Sequence, residues 1–138
     1  MAEATPLYQI RLAVRRELED LSAGDCIIVA ASGGADSSAL AAALLPESES
    51  KAIKVIALII DHSLQKNSSD VAHQAKKELT KIGYENIEIR KINIEITDGL
   101  EASARRARYV ALNDVARQHN AVAIFMGHTK DDQAETVL

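Results

Sequence analysis

The sequence predicts an α/β fold built on a doubly wound parallel sheet, and three observations predict it. Apolar runs of strand length alternate with longer segments of helical period. The runs "VIALII" (55–60) and "VAIFM" (122–126) are continuous, as suits strands buried on both faces. The first run ends in "SGGADSS" (32–38), a glycine bend that leads straight into a helix.

The elements follow in order. Thr5 and Pro6 supply an N-cap and a first-turn proline. Leu7, Ile10, Val14, Leu18 and Leu21 then recur at helical spacing until Ser22-Ala23-Gly24. A buried strand is expected over 26–31 and a helix over 36–45, stopped by Pro46, with "PESES" (46–50) as a solvated loop. A second strand follows over 53–60, then a helix over 68–82 closed by Gly83. The third strand is expected over 87–94, a long helix over 99–119, and the fourth strand over 122–126. A last helix is expected to begin near Lys130. Strands joined through helices of about ten or more residues give right-handed crossovers and a sheet covered on both faces.

At 138 residues the chain reads as one domain, 1–138, with no repeat or linker. "DDQAETVL" reaches Leu138 in mid-helix without a stop signal, which predicts a domain incomplete at its C-terminal end. Hydrophobic residues make up 47% and aromatic ones 3%, so the core must be Ala, Val, Ile and Leu. The net charge of −4 argues against coating nucleic acid by bulk electrostatics and leaves room for a polynucleotide where basic residues gather in one place or sit on another domain. Cys26 is the single cysteine, which excludes an internal disulfide and a multi-cysteine metal site and reads as an inert core thiol. With no signal peptide or apolar span, a cytoplasmic domain without a membrane partner is expected.

In a doubly wound sheet, ligands bind beyond the carboxyl ends of the strands. Gly33 and Gly34 let the backbone approach a ligand, so that successive N–H groups and the start of the next helix form an anion nest. Ser32, Ser37 and Ser38 add hydroxyls. The G-x-G-x-x-G fingerprint and the lysine-bearing phosphate loop are both absent. An acid follows the glycines instead, and a bare carboxylate would repel phosphates, so Asp36 reads as a ligand of a bridging Mg²⁺. The plainer alternative is a glycine turn in which Asp36 and Ser37 merely cap a helix.

Along the long helix, Glu101, Arg105, Arg108, Leu112 and Val115 share one stripe, charged in its first half and apolar in its second. Arginines at the ligand edge need anionic partners, either phosphate or Glu101 four residues before Arg105. Arg106 points elsewhere and reads as solvated. His128 follows the fourth strand, and Asp132, Glu135 and Thr136 would share a helix face suited to a cation. First-turn acids that answer the helix dipole are the alternative. Asp61 and His62 end the second strand, where they either line an adenine site through backbone groups or form a turn. His73 and His119 read as surface residues.

"SGGADSSAL" resembles the Ser-Gly-Gly-x-Asp-Ser pyrophosphatase-loop (PP-loop) motif of the ATP pyrophosphatases. With "DHSLQ", "EASARRARY" and "GHTKDDQAET", the chain resembles the tRNA(Ile)-lysidine synthetases from about Cys26 to Leu138. The resemblance implies a Rossmann-like, adenine nucleotide alpha hydrolase-like fold with ATP and Mg²⁺ as cofactors. It also implies adenylation at C2 of the wobble cytidine of tRNA(Ile) with a CAU anticodon, followed by displacement of AMP by free L-lysine. By position, Ser32, Gly33, Gly34, Ala35, Asp36 and Ser37 would hold the ATP phosphates, and Asp36 the metal. Arg105 and His128 would meet the phosphates or the adenylate, and Asp132 and Glu135 would recognise lysine. A homodimer is compatible with this reading.

Two departures stand out. Thr129 occupies a position where many members carry a second histidine, and the family's C-terminal tRNA-binding domains are absent from the sequence. The rival readings are a tRNA thiolase of the same superfamily and a non-catalytic ATP-binding module. A thiolase that relies on cysteine pairs finds no support in Cys26 alone.

Overall fold

A computed structural model describes residues 6–31, 35–63, 66–127 and 134–137. The elements are α1 (Pro6–Glu17), β1 (Cys26–Ala31), α2 (Ala35–Ser50), β2 (Lys54–Asp61) and α3 (Ser68–Ile82), followed by β3 (Ile87–Lys91), α4 (Leu100–Gln118), β4 (Ala123–Gly127) and β5 (Ala134–Val137). They form one five-stranded sheet in the order β3-β2-β1-β4-β5. The strands β1 to β4 run parallel, as the alternation of strand and helix predicts. β5 adds an antiparallel edge.

Successive residues of a strand face opposite sides of the sheet, and this sorts the core into two layers. Ile27, Val29, Val55, Ala57, Ile59 and Phe125 face Val14 of α1 and Leu18 just beyond it, Leu40, Ala41 and Leu44 of α2, and Ala75 and Leu79 of α3. Ile28, Ile56, Leu58, Ile124 and Met126 face Leu112 and Val115 of α4. Both faces are therefore covered, which is why the runs in β2 and β4 are continuous rather than alternating. Cys26 is half-buried at the edge of the α4 layer, and burial raises its thiol pKa, as befits an unreactive core cysteine.

Three boundaries differ from the sequence expectation. α2 does not stop at Pro46 but continues to Ser50. The reason is tertiary. Glu47 is buried and accepts hydrogen bonds from Arg11 (3.0 Å) and Arg15 (3.0 Å) of α1, which anchor the turn beyond the proline. The Tyr84 hydroxyl donates to the Ala41 carbonyl (2.8 Å), bracing α2 just before the turn where Pro46 has no N–H to give. Replacing Glu47 by Ala should lower stability by about 1–2 kcal/mol, because the two arginines are half exposed and can rehydrate. Urea unfolding of the variant reads the loss directly.

The second difference is that β3 ends at Lys91, and the chain then runs as an irregular segment to α4. The third concerns the helix expected from Lys130. Residues 134–137 instead form β5, pairing Met126 with Glu135 and Phe125 with Thr136. Thr136 and Val137 are β-branched, and β4 would otherwise leave an open edge at this side of the sheet. His119 also departs from expectation. It is half-buried, 2.7 Å from Glu88, and with the Arg90–Gln118 hydrogen bond (3.1 Å) it fastens the end of α4 to β3. Among the described residues, no helix is long and apolar enough to cross a membrane.

Candidate functional site

The topology places a crevice. From β1 the chain steps outward to β2 and β3, then returns through α4 to β4 on the other side of β1. Connections leave the carboxyl ends of β1 and β4 in opposite directions, and such a switch point is where doubly wound sheets hold ligands. Ala31 ends β1 and Gly127 ends β4, so the two sequence stretches singled out above both leave the sheet at this point.

Ala35, Asp36 and Ser37 are the first three residues of α2, where unpaired N–H groups and the helix dipole favour an anion. Ser32, Gly33, Gly34, His128 and Asp132 lie outside the described residues. Glu135 lies in β5, so the helical spacing that would have put it on one face with Asp132 and Thr136 does not apply.

Asp61 is the last residue of β2 and is buried. Its carboxylate accepts a hydrogen bond from Ser68 at the start of α3 and another from the Ser63 N–H (3.0 Å), and these bonds hold its pKa below the usual range. The side chain thus braces the β2–α3 loop. His62 continues the register of Ile56, Leu58 and Ile60 and so belongs to the α4 face. Burial, and secondarily the charge of Arg108, lower its pKa and keep the ring neutral near pH 7. Its Nδ1 is buried and has no hydrogen-bond partner among the described residues.

The stripe on α4 is divided as the sequence predicts. Leu112 and Val115 are fully buried against the sheet, while Arg105 and Arg108 lie nearer the strand ends. Among the described residues Arg105 does not pair with Glu101. Its guanidinium lies 5.4 Å from the Tyr109 ring centroid and donates to the Tyr109 hydroxyl at 3.4 Å. Arg108 is half-buried, and its Nε is buried without an acceptor among the described residues. This convergence of His62 with Arg108 is invisible in the sequence, because 46 positions separate the two residues (62 to 108).

Arg106 is not simply solvated. It donates to Asp98 (2.6 Å) and to the Thr97 hydroxyl (2.8 Å), while the buried Ser103 hydroxyl accepts from the Thr97 N–H (3.1 Å). Gly99, at φ 101° and ψ 151°, makes the sharp entry to α4 that a side chain would oppose. Together these contacts fix the start of the helix that carries Arg105 and Arg108. The Arg106 hydrogen bond is the main reason that Asp98 titrates at about 2 rather than near 3.8. A depressed carboxylate stabilises the fold above its unfolded pKa, and that contribution fades as pH falls from about 4 towards 2. Arg106→Ala should return Asp98 towards its ordinary value, read by carboxyl-carbon NMR titration.

A second depression, of about 490 Å³, lies between the segment after β3 and α4, lined by Ile92, Ser103, Ala107 and Val110 among others. It holds none of the residues expected to bind a ligand. Among the described residues, no cluster of three or more His, Cys, Asp or Glu is placed to hold a metal.

The PP-loop domain family matches residues 8–138. The chain belongs to the PP-loop family. Membership implies ATP binding and agrees with the motif at 32–37. The chain is 42% identical over 133 residues to a tRNA(Ile)-lysidine synthase of Thermobifida fusca, covering 96% of this chain and 41% of that protein. It is 44% identical over 138 residues to one of Rhodococcus jostii, covering 100% and 40%, and 37% identical over 155 residues to one of Streptomyces coelicolor, covering 94% and 44%. The chain therefore spans about two fifths of the length of the first two and 44% of the third. In structure it is similar to the U34-tRNA thiolase NcsA from Methanococcus maripaludis, with a TM-score of 0.74 and 21% identity. That likeness covers 92% of this chain and 46% of the other and shows a shared fold.

Proposed function

We propose that the chain is the PP-loop domain of a ligase that joins free L-lysine to C2 of the wobble cytidine of tRNA(Ile) with a CAU anticodon, releasing AMP and pyrophosphate. The carrying observation is the run of relatives bearing one name, aligned over nearly the whole chain, on a PP-loop fold with a ligand crevice. The working compartment is the cytoplasm, and a homodimer is compatible with the reading.

The residues divide the work. The backbone of 32–37 and the N-terminus of α2 hold the phosphates, and the backbone at Asp61 and His62 lines the adenine. Unpartnered buried nitrogens at His62 and Arg108 fit a site that receives an acceptor-rich anionic ligand. Asp36 would hold Mg²⁺, which would supply positive charge beside the pyrophosphate. Arg105 and His128 oppose the charge that builds up around the α-phosphorus. The O2 atom of cytidine bonds to that phosphorus as the bond to pyrophosphate breaks, which turns a poor leaving group into a good one. An amine of lysine then bonds to C2 as AMP leaves, and Asp132 and Glu135 hold the ammonium and help take its proton.

The test is pyrophosphate release by the full-length protein with ATP, an isoleucine-tRNA transcript and lysine. Release should require the transcript, and the lysine-modified nucleoside should form only when lysine is added. Turnover that needs a sulfur donor, or nucleotide binding with no turnover under any of these conditions, would sink the reading.

A further inference from the structure

The arginines sort by what neutralises them. Arg11 and Arg15 reach Glu47, Arg90 reaches Glu88, Arg106 reaches Asp98, and Arg117 reaches Asp114. Arg16 stands exposed on α1. Arg105 and Arg108 reach no carboxylate among the described residues, and both lie in the first half of α4, at the ligand edge of the sheet. In a chain of net charge −4, unpaired cations gathered at one place call for an anion.

Arg108 and His62 narrow the ligand. Each has a buried nitrogen without a partner among the described residues, and they come from different elements, α4 and the end of β2. Arg108 Nε can only donate, and leaving such a donor unmade is costly, so the ligand must bring oxygen acceptors, which the neutral His62 ring also meets in its Nδ1–H tautomer. A lysine ammonium beside Arg108 would be repelled, whereas a phosphate supplies the anionic oxygens that a guanidinium fork matches.

The face decides which phosphate. This step rests on the reading above, in which the ATP phosphates sit at 32–37. Residues 35–37 open α2, which packs in the layer shared with α1 and α3. His62 and Arg108 belong to the opposite, α4 face. An oxygen that attacks phosphorus approaches roughly in line with the leaving group and from the far side. Arg105, earlier on the same stripe of α4, meets the α-phosphorus where the acceptor oxygen attacks, so the strand that carries this oxygen lies along α4 and brings its own phosphodiester to Arg108, one turn on. We propose that Arg108 binds a backbone phosphate of the RNA acceptor on the α4 face, with the His62 ring as a second contact and the Arg105–Tyr109 pair beside it.

The experiment uses the full-length protein with Arg108→Ala, Arg108→Gln and Arg108→Lys, and Arg117→Ala as control. Affinity for the isoleucine-tRNA transcript is followed by anisotropy over a salt series without ATP, and ATP affinity by calorimetry without RNA. Arg108→Ala and Arg108→Gln should weaken the transcript about tenfold or more. They should also reduce the slope of log K against log salt by about 0.7, the loss of one single-strand phosphate contact. ATP affinity should stay unchanged. Arg108→Lys should keep the slope and lose part of the affinity, since the charge survives and the fork does not. The control should move nothing.

Weaker ATP binding with an unchanged transcript would hand this phosphate to the nucleotide and overturn the proposal. So would unchanged affinities for both, with or without a drop in melting temperature. Wild-type protein that binds ATP but no transcript overturns it too. A transcript effect at Arg108 in a protein that ligates no lysine supports the RNA site while defeating the lysidine reading, so the two failures are distinguishable.

Discussion

Asp36→Asn in the full-length protein is expected to cut pyrophosphate release by about a hundredfold or more, the effect of losing several kcal/mol of metal-borne charge stabilisation. The substitution is chosen because asparagine keeps the shape of aspartate and removes its charge, at a cost to a helix's first turn of only about 0.3–1 kcal/mol. Asp36 stands second in α2, so folding should survive and the loss should report on charge. A metal-binding role for Asp36 makes a further demand. If the carboxylate is there for Mg²⁺, removing its charge should weaken Mg-ATP but not metal-free ATP, because the repulsion between carboxylate and phosphates goes with it. Titrating ATP with and without Mg²⁺ separates the two. Release that stays within a few-fold of the wild type, or equal losses in both titrations, would reduce Asp36 to a helix cap.

Local signals were legible in the sequence and long-range ones were not. β1 and α3 occupy the expected residues, 26–31 and 68–82, because their limits are set by neighbours in the chain. At the end of α3, Gly83 sits at φ 123°, a conformation that other residues resist. The division of the α4 stripe was legible too, since helical spacing alone puts Leu112 and Val115 together. The continuation of α2 past Pro46 was not, because it hangs on arginines 36 and 32 positions away. β5 was missed for the same reason, since its pairing belongs to the edge of β4 and not to the segment's own pattern. At the candidate site, the Ser-Gly-Gly-x-Asp-Ser motif is local and can be read from the sequence, and the family match over residues 8–138 agrees with it. His62 and Arg108 become neighbours only when β2 and α4 fold onto one face, and no spacing rule reports that.

Phe125→Ala should remove about 3–5 kcal/mol of stability, a large share of the roughly 5–15 kcal/mol that holds a domain of this size together. Phe125 is the one phenylalanine of the chain and is completely buried in β4, paired with Val29 of β1. Apart from Tyr84, whose hydroxyl is held by the Ala41 carbonyl, its layer is made of alanine and aliphatic side chains packed on three helices, which leaves little to refill the void. Leu112→Ala, on the other face, should cost about 2–5 kcal/mol, because α4 covers that layer with few other contacts. Urea unfolding should show the midpoint falling with an unchanged m-value in both variants, the mark of lost stability without a changed unfolded state. The two losses should add, since the residues lie in separate layers with the sheet between them. A sum well short of additive would mean that the sheet yields as one body when either layer is opened. The crevice at the ends of β1 and β4 would then depend on both layers at once, and a fall in ATP affinity should accompany each variant in proportion to its loss of stability.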